Sequence, residues 1–454
     1  MKTIALLSAP LLLSLGVAPA FAHDPSPASS VAAPVSQDRL RADVESLVGF
    51  GTRHTLSEQD SATRGIGAAR RWAEAEFRRA SEACGGCLTI VTPERMVSGN
   101  RIETPVRLVN VVAIQPGTER PDEVVIVQAH IDSRASDVMD WKSDAPGAND
   151  NASGTALVLE AARTLSQHDY PTTIVYAVLS GEEQGLYGGK LMADYAREQG
   201  WTVKAVLNND IVGGSHGSDG KSDDAHVRVF SEALRSDSTD ELRSAMRRNG
   251  GENDSPSRNL SRYIAGIASA DTDDTLAVRQ IYRADRMGRG GDQLPFQAMG
   301  YPAIRFSVAV EDYEHQHQDL RTEDGVTYGD TVEEMDFPYL AKVTRLNVET
   351  LAALAQAPMP PRVSAEAAVQ TFTTVQWTPS EGATGYRIWR RRTDDAQWEL
   401  LRETDGATHM VTLDGLRGDD WIVGVSARAG EAESPVAAAV PGGAFYPLDT
   451  SEGE

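Results

Sequence analysis

The chain has 454 residues, 41% of them hydrophobic, which is enough for two or three domains and a large buried core. Its 43 lysines and arginines stand against 66 aspartates and glutamates, a net charge of −23. Such a charge repels phosphate backbones and anionic membrane surfaces, so neither nucleic acid nor a membrane is an expected partner.

In chain order, Lys2, the apolar run of residues 4–17 and the A-x-A site at Ala20, Phe21 and Ala22 read as a signal peptide over residues 1–22. The mature chain is then expected from about His23, in the periplasm or the medium. No later stretch is long and apolar enough to span a bilayer. Residues 23–37 are rich in Pro, Ser and Ala without a period and are expected to be a disordered lead-in. Helical spacing marks residues 38–48 and 62–83. Cys84 and Cys87, the only cysteines, read as a small disulfide in an exported chain. The runs LVNVVAI (108–114), VVIVQA (124–129), TIVYAVL (173–179), VKAVLN (203–208) and YPAIRFSV (301–308) are apolar on nearly every position. That pattern predicts an α/β fold, a mostly parallel sheet sandwiched by helices, closed by a helix over 339–357. This unit takes residues 38–357. After the proline-rich APMPPR, residues 363–444 alternate in short strands and predict a small all-β sandwich.

In such sheets ligands collect beyond the carboxyl ends of the strands. The residues expected there are His130 and Asp132 in QAHIDS, Asp150 in GANDNASG, Glu182 and Glu183 in SGEEQG, Asp210 in NNDIVGG, and His315 or His317 in YEHQHQD. Histidines and carboxylates converging from five segments suit a borderline metal such as Zn²⁺. His130 offers an imidazole whose other N–H Asp132 accepts or orients, Asp150 has two oxygens with which to bridge two metals, and Asp210 caps one of them. Adjacent Glu182 and Glu183 make sense beside two cations, one as ligand and one to move protons. Asp292 reads as a turn or N-cap residue, and the glycines near Gly188, Gly213 and Gly290 as loop glycines. His54, His168, His216, His226 and His409 lack such company and read as surface or hydrogen-bonded residues.

This order of motifs resembles the di-zinc aminopeptidase family of the bacterial leucyl aminopeptidase type. The resemblance implies His130, Asp150, Glu183, Asp210 and a late histidine as ligands of two Zn²⁺ ions, Glu182 as general base, Asp132 behind His130, and a cis peptide bond between Asp150 and Asn151. The family's last ligand lies in a Tyr-His-Thr type of sequence that is absent here. His317 is favoured because it leads into the polar Gln318-Asp319 pair, whereas the family's interval from His to Asp favours His315. The implied function is an exported metallo-aminopeptidase acting on peptides with a free N-terminus, its anionic rim drawing the α-amino group at short range. A glutaminyl cyclase or carboxypeptidase on a similar cluster is the alternative, as is a non-catalytic binding protein on a peptidase scaffold. Trp377, Tyr386, Leu413 and Leu416 are placed as in a fibronectin type III module, which implies that residues 363–444 bind a surface, a polysaccharide or a large substrate.

Overall fold

The computed structural model describes residues 31–271 and 276–448. The expected signal peptide and the first part of the lead-in therefore lie outside the described residues. From Val31 onward the lead-in is packed rather than disordered, because its few apolar side chains find a slot: Ala32 and Val35 join the main core. Ser36 also caps the first helix and donates its backbone N–H to buried Glu160 at 2.7 Å.

In chain order, α1 (Gln37–Val48) and α2 (Gly65–Ala83) lead into β1 (Thr89–Val91), the hairpin β2 (Glu94–Gly99) and β3 (Ile102–Val109), then β4 (Val111–Gln115) and β5 (Arg120–His130). Next come α3 (Ser153–Leu165), β6 (Thr172–Leu179), α4 (Tyr187–Glu198), β7 (Thr202–Asn209) and β8 (His226–Ser231). They are followed by α5 (Asp240–Asn249), α6 (Pro256–Ala270), β9 (Ala277–Ile281), α7 (Leu294–Ala298) and β10 (Ala303–Val308). A small hairpin, β11 (Arg321–Glu323) and β12 (Val326–Tyr328), precedes α8 (Phe337–Gln356). Cys84 and Cys87 form a disulfide at the end of α2.

Among the described residues eight strands make one sheet in the order β1-β4-β6-β5-β7-β10-β8-β9. The middle strands β6, β5, β7 and β10 are parallel, while β4 and β8 pair antiparallel on either side. Helices cover both faces. Val125, Val127 and Ala129 of β5 point into the core shared with α1, α2, α3 and α8, while Val124 and Ile126 point to the other face, against Met192 and Ala196 of α4 and Phe296 of α7. Burial on both faces is why these strands read as unbroken apolar runs. The sheet is mixed overall, parallel where the site lies, and no described helix is long and apolar enough to cross a membrane.

Two sequence expectations differ. LVNVVAI is not one strand: it breaks at Asn110, whose buried amide accepts from Ser180 N at 3.0 Å and donates to Gly188 O at 2.9 Å, so Leu108 belongs to the hairpin and Val111 to the main sheet. Strands β8 and β9 were not expected, because Arg228 and Arg279 interrupt their apolar pattern near the sheet edge.

Beyond α8, β13 (Val363–Glu366), β14 (Phe372–Trp377) and β17 (Met410–Asp414) form one antiparallel sheet. A second sheet holds β15 (Gly385–Arg392), β16 (Glu399–Asp405), β18 (Trp421–Ala429) and two short strands. Trp377, Tyr386, Leu413 and Leu416 share the core between them. These sheets are locked to α6: fully buried Arg391 pairs with both oxygens of buried Asp254 at 2.7 and 2.8 Å, and Trp398 Nε1 donates to Asn259 at 3.0 Å. Phe445 then returns the chain to the main core.

Candidate metal centre

Because β5, β6 and β7 run parallel, their carboxyl ends open on one edge of the sheet. His130 is the last residue of β5 and pairs across to Leu179 at the end of β6, three residues before Glu182. Asp210 follows β7 directly. Asp150 arrives from the turn in front of α3, and His317 from the loop between β10 and β11.

These side chains form two donor sets, His130 with Asp150 and Asp210, and Asp150 with Glu183 and His317, each with its ligand atoms within 4.8 Å of one another. Asp150 belongs to both. Its Oδ1 lies 3.2 Å from His130 Nε2 and its Oδ2 3.0 Å from His317 Nε2, which is also 3.0 Å from Glu183 Oε1. Asp210 Oδ1 is 3.7 Å from His130 Nε2. Glu182 is half-buried in the wall of a cavity that opens over these two sets, and is in neither. His315 lies elsewhere: its Nδ1 is 2.7 Å from Asp312 Oδ2 and its Nε2 3.5 Å from Glu334.

Asp132 meets its expected role through its backbone carbonyl and adds another through its carboxylate. His130 Nδ1–H donates to the Asp132 carbonyl at 3.0 Å, which leaves Nε2 to face the cluster, while the carboxylate Oδ1 is 3.6 Å from the ring. That carboxylate instead accepts the backbone N–H groups of Glu182 and Glu183, each at 3.2 Å, and the Thr55 hydroxyl at 3.1 Å. It sets the turn that presents both glutamates. The peptide bond from Asp150 to Asn151 is cis. Buried Asp330 accepts the N–H groups of Asn149 and Asp150 at 2.7 and 2.6 Å, and Asn151 caps the start of α3 by accepting from Gly154 N at 3.0 Å. Gly154 is required there, since a Cβ would sit 2.3 Å from Asn209 O.

The cluster's field calls for positive charge. Burial opposes it, yet the nearby carboxylates of Asp132, Asp150 and Asp210 raise His130 well above the ordinary histidine range. Against the same cost, Glu183 and Asp150 lift His317 to about 10. Burial, reinforced by Glu183, Asp210 and Asp292, pushes the Glu182 carboxyl well above the usual range despite nearby His130. Asp210 stays near 2 although buried, because the Arg305 guanidinium lies 2.9 Å from its Oδ1.

Sequence reasoning missed Arg305, hidden in the apolar run of β10, and Asp330, which no local pattern marks. It also misplaced Asp292, which is fully buried and accepts from Gly189 N at 3.1 Å instead of capping α7. Burial first, then the charges of Asp132 and Asp210, raise its carboxyl to about 7 against the pull of His130. Gly188 and Gly189 are not loop glycines but the first turn of α4, where a Cβ would meet Ser180 O at 2.3 Å and Asp292 Oδ1 at 2.5 Å. Buried His54 is hydrogen-bonded, its Nε2 2.9 Å from Val138 O.

Residues 110–324 match the sequence model of peptidase family M28. A "Probable zinc metalloprotease" of Leptosphaeria maculans is 42% identical over 414 residues, 90% of this chain and 95% of the relative. Another of that name from Pyricularia oryzae is 42% identical over 428 residues, 90% of this chain and 83% of the relative. Among solved structures, the LapA aminopeptidase of Legionella pneumophila superposes with a TM-score of 0.52 at 16% identity, covering 72% of this chain and 74% of that one, a likeness of fold.

Proposed function

The chain belongs to peptidase family M28, alongside the zinc metalloproteases it matches over most of their length, and on that premise we propose that it is an exported aminopeptidase working through two zinc ions. One observation carries this reading: two donor sets share Asp150, and Glu182 stands beside them in neither. The donors fit zinc, being two imidazoles and three carboxylates where the field already favours a cation. His130, Asp150 and Asp210 would hold one ion, and Asp150, Glu183 and His317 the other. Zinc so held supplies Lewis-acid polarisation of the scissile carbonyl and a water of lowered pKa. Glu182 takes the proton of the attacking water and passes it to the leaving amine. Asp132 keeps the two glutamates diverging by holding both their amides.

Residues 38–357 form the catalytic domain in this reading, and residues 363–444 a fibronectin type III-like module for a surface, a polysaccharide or a large substrate. The common core of Trp377, Tyr386, Leu413 and Leu416 supports the second assignment. Export rests on the signal-like residues 1–22.

Metal analysis of the purified mature chain, with rates on aminoacyl nitroanilides, N-acetylated peptides and N-terminal glutaminyl peptides, tests the proposal. Two zinc ions per chain and cleavage only at free amines are expected. Cyclisation of glutaminyl substrates, or trimming of N-blocked peptides from the other end, would replace the aminopeptidase with a cyclase or a carboxypeptidase.

A further inference from the structure

Above the donor sets lies a cavity of about 390 Å³ whose lining is unusual for so acidic a chain. Besides glycines, Glu182 and the candidate ligands it contains four arginines, Arg101, Arg134, Arg286 and Arg289, and one large apolar side chain, Leu186. The expected anionic rim is therefore edged with guanidinium groups. Arg286 and Arg289 already face Glu311, at 3.5 and 3.8 Å. Arg101 and Arg134 do not spend their charge that way. Arg101 Nη1 donates to the Glu183 carbonyl at 2.8 Å, and Arg134 donates to the carbonyls of Ala135 at 3.1 Å and Ser136 at 2.8 Å. Among the described residues neither has a carboxylate within ion-pair distance.

The two arginines come from separate segments, the turn between β2 and β3 and the loop after β5, yet they line one cavity. They do not serve to neutralise the ligand carboxylates, which their hydrogen bonds leave alone. Once those carboxylates face bound cations, the guanidinium charge remains for whatever else enters. A planar guanidinium fork matches a carboxylate through two parallel hydrogen bonds. A leucine-like side chain, by contrast, would find only Leu186 with which to leave water.

We propose that Arg101 and Arg134 bind a carboxylate of the substrate, so that this enzyme prefers a substrate carrying that carboxylate over its neutral counterpart. The inference rests on the aminopeptidase reading. The carboxylate is either the side chain of an N-terminal Asp or Glu, or the free α-carboxylate of a dipeptide.

Calorimetric titration of the zinc-loaded full chain tests this without turnover. In one arm L-glutamate is compared with L-glutamine and L-leucine; in the other, the dipeptide Leu-Gly is compared with its C-terminal amide in Glu182→Gln enzyme. An advantage of about tenfold or more for the acid is expected in one arm, which names the source, and it should collapse toward one in Arg101→Gln and Arg134→Gln. Equal binding of acid and neutral partner in both arms, or an advantage that survives both substitutions, overturns the proposal. Hydrolysis of Leu-Gly against N-acetyl-Leu-Gly by the wild-type enzyme reports separately on the aminopeptidase reading. Indifference to the acetyl group would sink that reading while leaving the binding comparison intact.

Discussion

Glu182 and Glu183 are neighbours in sequence with separate surroundings, at the start of the turn that follows β6, where Asp132 pins both their amides. Only Glu183 touches His317. Their amide variants should fail differently. Glu182→Gln should keep its zinc while kcat falls on the order of 10² to 10⁴, the usual worth of a general base. Glu183→Gln should lose zinc first, and excess zinc should restore part of the rate, read by metal analysis beside kinetics. The reverse pattern would exchange the two roles. The histidines divide in the same way: His317→Ala should release metal, whereas His315→Ala should retain it, since His315 is engaged with Asp312 and Glu334.

At the scale of one element, the turn before α3 is the most constrained piece of the site. Asp150 is aimed by Asp330 beneath its backbone, by the Asn151 cap and by the close approach of α3 to the end of β7. Gly154→Ala would place a methyl group 2.3 Å from Asn209 O, 2.6 Å from Asn151 Oδ1 and 2.9 Å from Ala129 Cβ. Overpacking of that kind costs about 1–3 kcal/mol. The variant should show a lower midpoint in thermal unfolding and a lower zinc occupancy, although it touches no ligand. An unchanged occupancy would mean that α3 can shift without moving Asp150.

For the molecule as a whole, the C-terminal sheets are not a loose appendage. Arg391 shares Asp254 with Arg262, whose Nη1 is 3.1 Å away, all three being buried. Removing one partner of a buried pair costs about 3–5 kcal/mol because a charge is left uncompensated. Arg391→Ala, and deletion from Met359 onward, should lower thermal stability, while turnover of small aminoacyl substrates per folded molecule persists, since among the described residues none that lines the cavity lies beyond His317. Metal removal should act on the same scale. A chelator should lower the melting temperature, and free zinc at one hundred times its Kd should return about 2.7 kcal/mol.

Much of this was legible in one dimension for a physical reason. Strands buried on both faces must be apolar throughout, so the central sheet is written in its runs, and a parallel sheet brings the residues after those strands to one edge, so His130, Glu183 and Asp210 could be gathered from sequence alone. What depends on distant chain segments was not. Only the packed fold could show that LVNVVAI turns at Asn110, that His317 and not His315 reaches Asp150, and that Asp132 holds the imidazole by its carbonyl and two amides by its carboxylate. Arg305, Asp330 and Asp292 were equally hidden, for a charge inside an apolar run or a loop carries no local signal of its partner. The same holds for the arginines around the cavity: their spacing has no period, and their convergence is a property of the closed fold. Sequence determined the sheet and the donors it carries, because both follow from local pattern; tertiary structure decided their orientation and the charge of the space above them, because those are set by contacts between segments far apart in the chain.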